Sequence, residues 1–332
     1  MGIDIFGITP HKVSRDLKGY TILFYGRPKV GKTTIASQFY KALLLAFEMG
    51  YLALPGVMAQ PINRWADFKQ VRRQLKDEKA HEMFSNIVID TADIAYDLCE
   101  KFVCAQNNVD AVGDMPYGAG YAKVSKEFDE ALRQIPQMGY GLILISHSQD
   151  KVFIDENGKE FNQIVPTLGN RPRLIVDRMS DIIGFANPEI DDEGNTYTSL
   201  YLRGTPRFIA GSRFKYIAPV IRFSYQNLVD AIHDAIDKEA EEHNGKLVTD
   251  TLDRPQVEEI NYQEQMNKFN NMVSKLQEVS GKDFGTQWAN KIIELTNKYL
   301  GKGKKITEST PDQAEQIYLI VSDLEAEMNK RL

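Results

Sequence analysis

The sequence is poor in cysteine and histidine, with two of the first (Cys99 and Cys104) and five of the second. Two thiols cannot frame a disulfide scaffold, and their spacing does not supply a four-ligand zinc site. They read as reduced thiols on a helix. No apolar run reaches the roughly 18 residues that a bilayer span needs. The start, MGIDIFGITPHK, lacks a basic region followed by an apolar one, so no signal peptide is expected. A positive excess is missing too: 40 Lys and Arg stand against 46 Asp and Glu, a net charge of −6. That excludes a uniformly basic nucleic-acid coat, though not a local basic surface. No repeat with a period of 20–50 residues is visible. What is present is an ordinary mixture, 42% hydrophobic and 26% charged over 332 residues. A cytoplasmic globular protein is expected, with one large domain and a smaller one.

Apolar runs at residues 21–25, 43–47, 87–89 and 141–146 read as strands, and helical periodicity fills several of the gaps, most clearly at residues 92–106 and 122–135. Alternation of this kind predicts an α/β domain with a mostly parallel sheet. After residue 150 the pattern turns antiparallel. Asn157-Gly158 lies between two short apolar runs, and Asp191-Asp192-Glu193-Gly194-Asn195 between two more, both hairpin signals. Another strand is read at residues 220–223 and a helix at 225–242. The expected organisation is an N-terminal arm over residues 1–17, a core over 18–243, a polar linker over 244–260 and a helical module over 261–332. Ser309-Thr310-Pro311 suits a helix start, with proline at the first position.

The strongest local signal is Gly26-Arg27-Pro28-Lys29-Val30-Gly31-Lys32-Thr33, which fits G-x-x-x-x-G-K-[ST] without departure. An apolar strand enters it, and a helical pattern beginning at Thr33-Thr34 leaves it. In such a loop backbone N–H groups turn toward phosphate oxygens and the helix N-terminus adds a favourable dipole. Lys32 would reach the β- and γ-phosphates of ATP, and the Thr33 hydroxyl would hold Mg²⁺. The run Ile87-Val88-Ile89-Asp90 supplies a second magnesium-side carboxylate, Asp90, at the carboxyl edge of the sheet. Glu48 follows the apolar run at residues 43–47. If that run is a strand, Glu48 reaches the same edge and can polarise an attacking water. If the phosphate-loop helix runs on through it, Glu48 is solvated, and periodicity does not separate the two. His147, after Ser146 at the end of residues 141–146, is either a sensor of the γ-phosphate or a histidine satisfied locally.

Together GRPKVGKT, LLLAFE after a short helix, IVIDT, MPYGAGY and LILISH resemble the RecA-like branch of P-loop ATPases. More narrowly they resemble phage nucleotide-binding proteins grouped with RecA/RadA-like (Sak-type) single-strand annealing and recombination proteins. The resemblance covers about residues 18–224. It implies a RecA-like core, with helices flanking a parallel sheet and antiparallel hairpins in its second half. It also implies a Mg²⁺-dependent, DNA-stimulated ATPase that forms a ring or filament on single-stranded DNA and acts in recombination or annealing. Glu48 takes the place of the catalytic carboxylate, and His147 that of the residue coupling nucleotide state to DNA loops. The other class kept open is a motor or helicase-loader-like replication factor without recombination activity. A helical lid carrying a sensor arginine would favour it.

Residues 195–228 contain no Asp or Glu, yet hold Arg203, Arg207, Arg213, Lys215 and Arg222 with Tyr197, Tyr201, Phe208, Phe214 and Tyr216 interleaved. Cations along a backbone with rings for base stacking suit single-stranded DNA. The same arginines suit a subunit interface, with Arg213 the first candidate for a finger acting in trans and Arg203 the second. Gly169-Asn170-Arg171-Pro172-Arg173 reads as a flexible basic loop, and the resemblance nominates Arg171 and Arg173 for DNA. Met115-Pro116-Tyr117-Gly118-Ala119-Gly120-Tyr121 is a further candidate loop. Ile3-Asp4-Ile5-Phe6 is a candidate docking arm, and the C-terminal module a candidate docking element for a single-strand-binding protein.

Overall fold

The computed structural model describes residues 6, 8–154, 156–245, 247–251 and 260–331. Most of the candidate docking arm, residues 3–5, and the middle of the polar linker, residues 252–259, lie outside them. The chain forms two compact units, residues 1–256 and 257–332.

The first unit runs β1 (Val13–Ser14), β2 (Thr21–Gly26), α1 (Lys32–Ala36), β3 (Ala42–Ala46), β4 (Ala59–Pro61), α2 (Trp65–Gln74), α3 (Glu78–Met83), β5 (Asn86–Asp90), α4 (Ala92–Gln106) and α5 (Ala119–Gln137). It continues with β6 (Gly141–Ile154), β7 (Glu160–Pro166), α6 (Asn170–Met179), β8 (Ile182–Ile190), β9 (Thr196–Tyr201), β10 (Gly211–Ser212), β11 (Val220–Arg222), α7 (Tyr225–Glu242) and β12 (Val248–Thr249). The main sheet has the order β11-β9-β8-β2-β6-β5-β3-β4. Its centre, from β8 through β2, β6, β5 and β3 to β4, is parallel. β9 and β11 extend it antiparallel. One strand, β6, therefore separates the strand entering the glycine loop from the strand ending in Asp90. This order makes the core RecA-like. β1 and β12 pair separately.

The central strands read as unbroken apolar runs because both faces are covered. Leu23, Leu45, Ile87, Ile89, Leu142 and Leu144 face a core built with α2, α4, α5 and α6. Ile22, Phe24, Leu44, Val88, Ile143 and Ile145 face the opposite core with α1 and α7. Two further features position the site. α1 is only five residues long, so the chain returns at once into β3, and residues 43–47 do not continue the helix. β6 runs beyond the sheet, where residues 148–154 pair antiparallel with 160–166 of β7 as a projecting hairpin.

The segment expected as a flexible basic loop at residues 169–173 is corrected: from Asn170 it is α6. Pro172 is its third residue, where its missing N–H has no intrahelical partner to lose, so the proline starts the helix rather than breaking it. Residues 115–121 are not one loop either. They form a tight turn around Tyr117, whose backbone is left-handed, and then enter α5.

The second unit contains α8 (Tyr262–Ser280), α9 (Asn290–Leu300) and α10 (Ala314–Arg331). Phe269, Leu276, Trp288, Leu295, Ile317, Ile320 and Leu324 form its own core. Thr310 caps the start at Pro311, as its sequence suggests. Ahead of α9 the chain makes a wider, π-type turn over Gly285–Ala289. Among the described residues no helix is long and apolar enough to cross a membrane.

Candidate nucleotide site

The glycine loop turns between β2 and α1 at the carboxyl edge of the sheet. Gly26 has to be glycine, since a Cβ there would lie 2.3 Å from the Ala186 carbonyl oxygen of β8. Gly31 begins α1 with φ at +95°, a left-handed backbone open to glycine. Arg27, Pro28 and Lys29 form the exposed crest, Val30 is partly buried beneath it, and Thr34 is exposed on the first turn of α1. Lys32 is buried, and its Nζ donates to the Gly26 and Arg27 carbonyls, each at 2.8 Å. Burial lowers its pKa to about 8, against the attraction of Asp90, Glu48 and Asp93.

Asp90 ends β5 two strands away, and the Thr33 hydroxyl donates to its Oδ2 at 2.7 Å. Burial pushes the Asp90 carboxyl above its usual value, opposed chiefly by that hydrogen bond. The Asp90 carbonyl accepts the Phe47 and Glu48 N–H groups at 2.7 and 2.9 Å. These bonds set Glu48, just beyond β3, beside Asp90. Glu48 Oε2 in turn lies 3.1 Å from His147 Nε2. The structure thus brings Lys32, Thr33, Glu48, Asp90 and His147 to one edge.

A hydroxyl and a carboxylate oxygen within hydrogen-bonding distance are the hard oxygen donors a magnesium ion takes. Beside them a buried ammonium, held only by two loop carbonyls, has the reach and charge for a polyphosphate. The residues present therefore fit a nucleotide with its Mg²⁺.

The arginines are not gathered there. Arg213 follows β10 and lies against Asp181, the residue before β8, at the opposite, amino edge. It pairs with Asp181 at 3.1 Å and donates to the Arg178 carbonyl at 2.9 Å, so it does not join this chain's own phosphate site. Arg203 donates to the Ser212, Phe214 and Lys215 carbonyls, clamping its own loop. Arg171 lies 4.1 Å over the Tyr121 ring, and Arg173 pairs with Asp177 one helical turn on. Lys215 pairs with Glu242, and Arg222 lies over the Tyr197 ring. The acid-free stretch is therefore not a free cationic stripe, because folding brings acids and rings to it from elsewhere. Arg222 lines a cavity of about 390 Å³ together with Asp191 and Tyr197, and Arg207 lines a second, beside Asp150. The second cavity has a volume of about 730 Å³ and lies against the β6–β7 hairpin, with Lys159, Phe161 and Asn162 also at its wall.

The sequence reading missed Asp93 and Thr167. Asp93 Oδ1 accepts from the hydroxyls of Ser146 at 3.0 Å and Thr167 at 2.6 Å. A polar residue three places after Asp90 was the available sign.

Comparison with known proteins agrees with this geometry. Residues 18–214 match the family described as AAA domain. The SPbeta prophage-derived uncharacterized protein YorG of Bacillus subtilis (strain 168) is 30% identical over 331 residues, covering 98% of each chain. Among solved structures, the flagellar accessory protein FlaH of Methanocaldococcus jannaschii is 12% identical over 59% of this chain and 79% of that one, with a TM-score of 0.30. The KaiC-like protein PH0186 of Pyrococcus horikoshii OT3 is 14% identical over 65% of this chain and 100% of that one, with a TM-score of 0.32.

Proposed function

The chain belongs to the AAA domain family, and on that premise we propose that it is a Mg²⁺-dependent ATPase of phage origin. On this reading it assembles as a homo-oligomer on single-stranded DNA and serves recombination or annealing. The observation that carries the ATPase reading is the Thr33–Asp90 hydrogen bond, with buried Lys32 on one side and Glu48 on the other. The prophage-derived relative, matched end to end, supports the phage setting.

In this reading Lys32 exchanges its two carbonyl acceptors for phosphate oxygens, and its positive charge offsets charge that develops there during transfer. Bound Mg²⁺ supplies Lewis acidity toward those oxygens. Thr33 and Asp90 hold the ion, Glu48 takes a proton from the attacking water, and the His147 ring fixes the Glu48 carboxylate. The DNA element is the projecting β6–β7 hairpin. Phe153 and Phe161 stack on it with ring centroids 5.9 Å apart, and Lys151 lies over Phe153. Phe161, Lys159 and Arg207 at the cavity combine a ring and cations, the pairing that unspecific single-strand binding uses.

The test is ATP turnover with and without single-stranded DNA. Stimulation by DNA is expected in the native chain, and loss of all turnover in Lys32→Ala. Turnover surviving in a clean Lys32→Ala preparation overturns the site. DNA binding absent at low salt, with and without nucleotide, overturns the partner.

A further inference from the structure

Two strands leave the main sheet as the β6–β7 hairpin, and one carboxylate ties their roots together. The hairpin ladder begins at Ser148 opposite Pro166. Ser146 lies just before it on β6, and Thr167 is the first residue after β7. Both hydroxyls converge on Asp93 Oδ1, at 3.0 and 2.6 Å. The Thr167 N–H donates to the His147 carbonyl at 2.9 Å, closing the joint. Asp93 is the second residue of α4, one turn after Asp90, where the helix N-terminus favours a carboxylate. Its other oxygen, Oδ2, is buried with no hydrogen-bond partner in the structure.

The phosphate side is bonded to itself. Lys32 Nζ is spent on the Gly26 and Arg27 carbonyls and the Thr33 hydroxyl on Asp90. A polyphosphate and its cation would compete for those groups, and only Thr91 and Ala92 separate Asp90, at the end of β5, from Asp93 in the first turn of α4. We infer that Asp93, with Ser146 and Thr167, is a positioning latch that transmits nucleotide occupancy to the root of the hairpin. Asp93 and Thr167 act through other residues and touch neither phosphate nor the reacting water. The inference rests on the nucleotide site proposed above, and it names a two-way element that both the site and the hairpin bias.

Hydrogen exchange of the full-length chain tests it, read on peptides covering residues 148–154 and 160–167, with and without a Mg²⁺-bound non-hydrolysable ATP analogue. In the native chain the analogue changes protection there. Thr167→Val and Asp93→Ala, which remove the donor and the acceptor of the bond, lose that change while analogue affinity, titrated separately, stays within about threefold. Thr167→Ser, which keeps the hydroxyl, retains it. A merely structural threonine would lower protection equally in both states and leave the difference intact, and that result overturns the latch. A silent hairpin in a native chain that binds the analogue overturns it as well. If Thr167→Val does not fold, Asp93→Ala and Ser146→Ala carry the same comparison. Failure of the analogue to bind the native chain is a different result, which removes the nucleotide site itself.

Discussion

At the scale of single residues the site holds charge where charge is costly. Lys32 is buried with its pKa lowered to about 8, chiefly by desolvation. Between that value and the ordinary lysine value of 10.5 the unfolded chain binds more protons than the folded one. Stability contributed by this group therefore rises with pH across that window. Asp90 runs the other way. Its raised pKa means the folded chain keeps a proton that the unfolded chain has released, so its contribution falls as pH rises from 3.8 through the folded value. Both groups are poised for a ligand at the expense of the free protein. Lys32→Met, which keeps apolar volume and removes the buried charge, is expected to stabilise the nucleotide-free chain at pH 7.5 by about 1 kcal/mol or more. Urea unfolding measures this, and the advantage should shrink at pH 9.5, where the native lysine is largely neutral. A less stable Lys32→Met at pH 7.5 would show that the ammonium is compensated in the free state. Asp90→Asn keeps an acceptor for the Thr33 hydroxyl. It should likewise hold or raise nucleotide-free stability by about 1 kcal/mol while abolishing Mg²⁺-dependent turnover.

Elements decide how closely such residues can be brought together. Gly26 ends β2 against β8, and Gly26→Ala would push a methyl to 2.3 Å from a backbone oxygen that cannot swing aside. A loss of about 2–4 kcal/mol is expected from opening that contact, read as a lower urea midpoint together with weakened nucleotide binding. On the projecting hairpin, Phe161→Ala should act oppositely. Phe161 is 36% exposed and stacks on Phe153, so stability should fall by only about 1 kcal/mol, while single-strand affinity falls by about 1–3 kcal/mol if the ring stacks on a base. Unchanged affinity would remove this ring from the DNA surface. The phosphate loop, β5 and α4 were legible in the sequence because each is a local pattern: a fixed spacing, a closed apolar run, a clean helical period. The strand at residues 42–46 was ambiguous, since a short apolar run fits a buried strand or a buried helix alike. Five-residue α1 decided it. The misread segment was α6, where Gly169 and Pro172 look like loop punctuation until the proline is seen to fall inside the first turn. The arginines were illegible for a different reason. Asp181, Glu242 and the Tyr121 ring are far in sequence from the cations they meet, and only the fold supplies those partners.

For the whole molecule a net charge of −6 is a poor guide, because local pairings rather than the sum decide which cations face outward. The division into two units has a sharper consequence. Residues 1–256 enclose two apolar cores on either face of the sheet, and residues 257–332 enclose a third with no residue shared. The residues of the candidate nucleotide site all lie in the first unit. A unit with its own core can unfold on its own, so the chain need not behave as a two-state system. The two tryptophans report on the units separately, since Trp65 is buried in the first and Trp288 in the second. Ile320 is fully buried in the third core, between Ile317 and Leu324 on one face of α10. Ile320→Ala should therefore cost about 2–5 kcal/mol in the second unit alone. Calorimetry is expected to show one transition moved to lower temperature and the other unmoved. At a temperature between the two, Trp288 should be exposed, Trp65 still buried and nucleotide affinity unchanged. A common downward shift of both transitions, with nucleotide binding lost in step, would show instead that the helical unit is an obligate part of the ATPase fold.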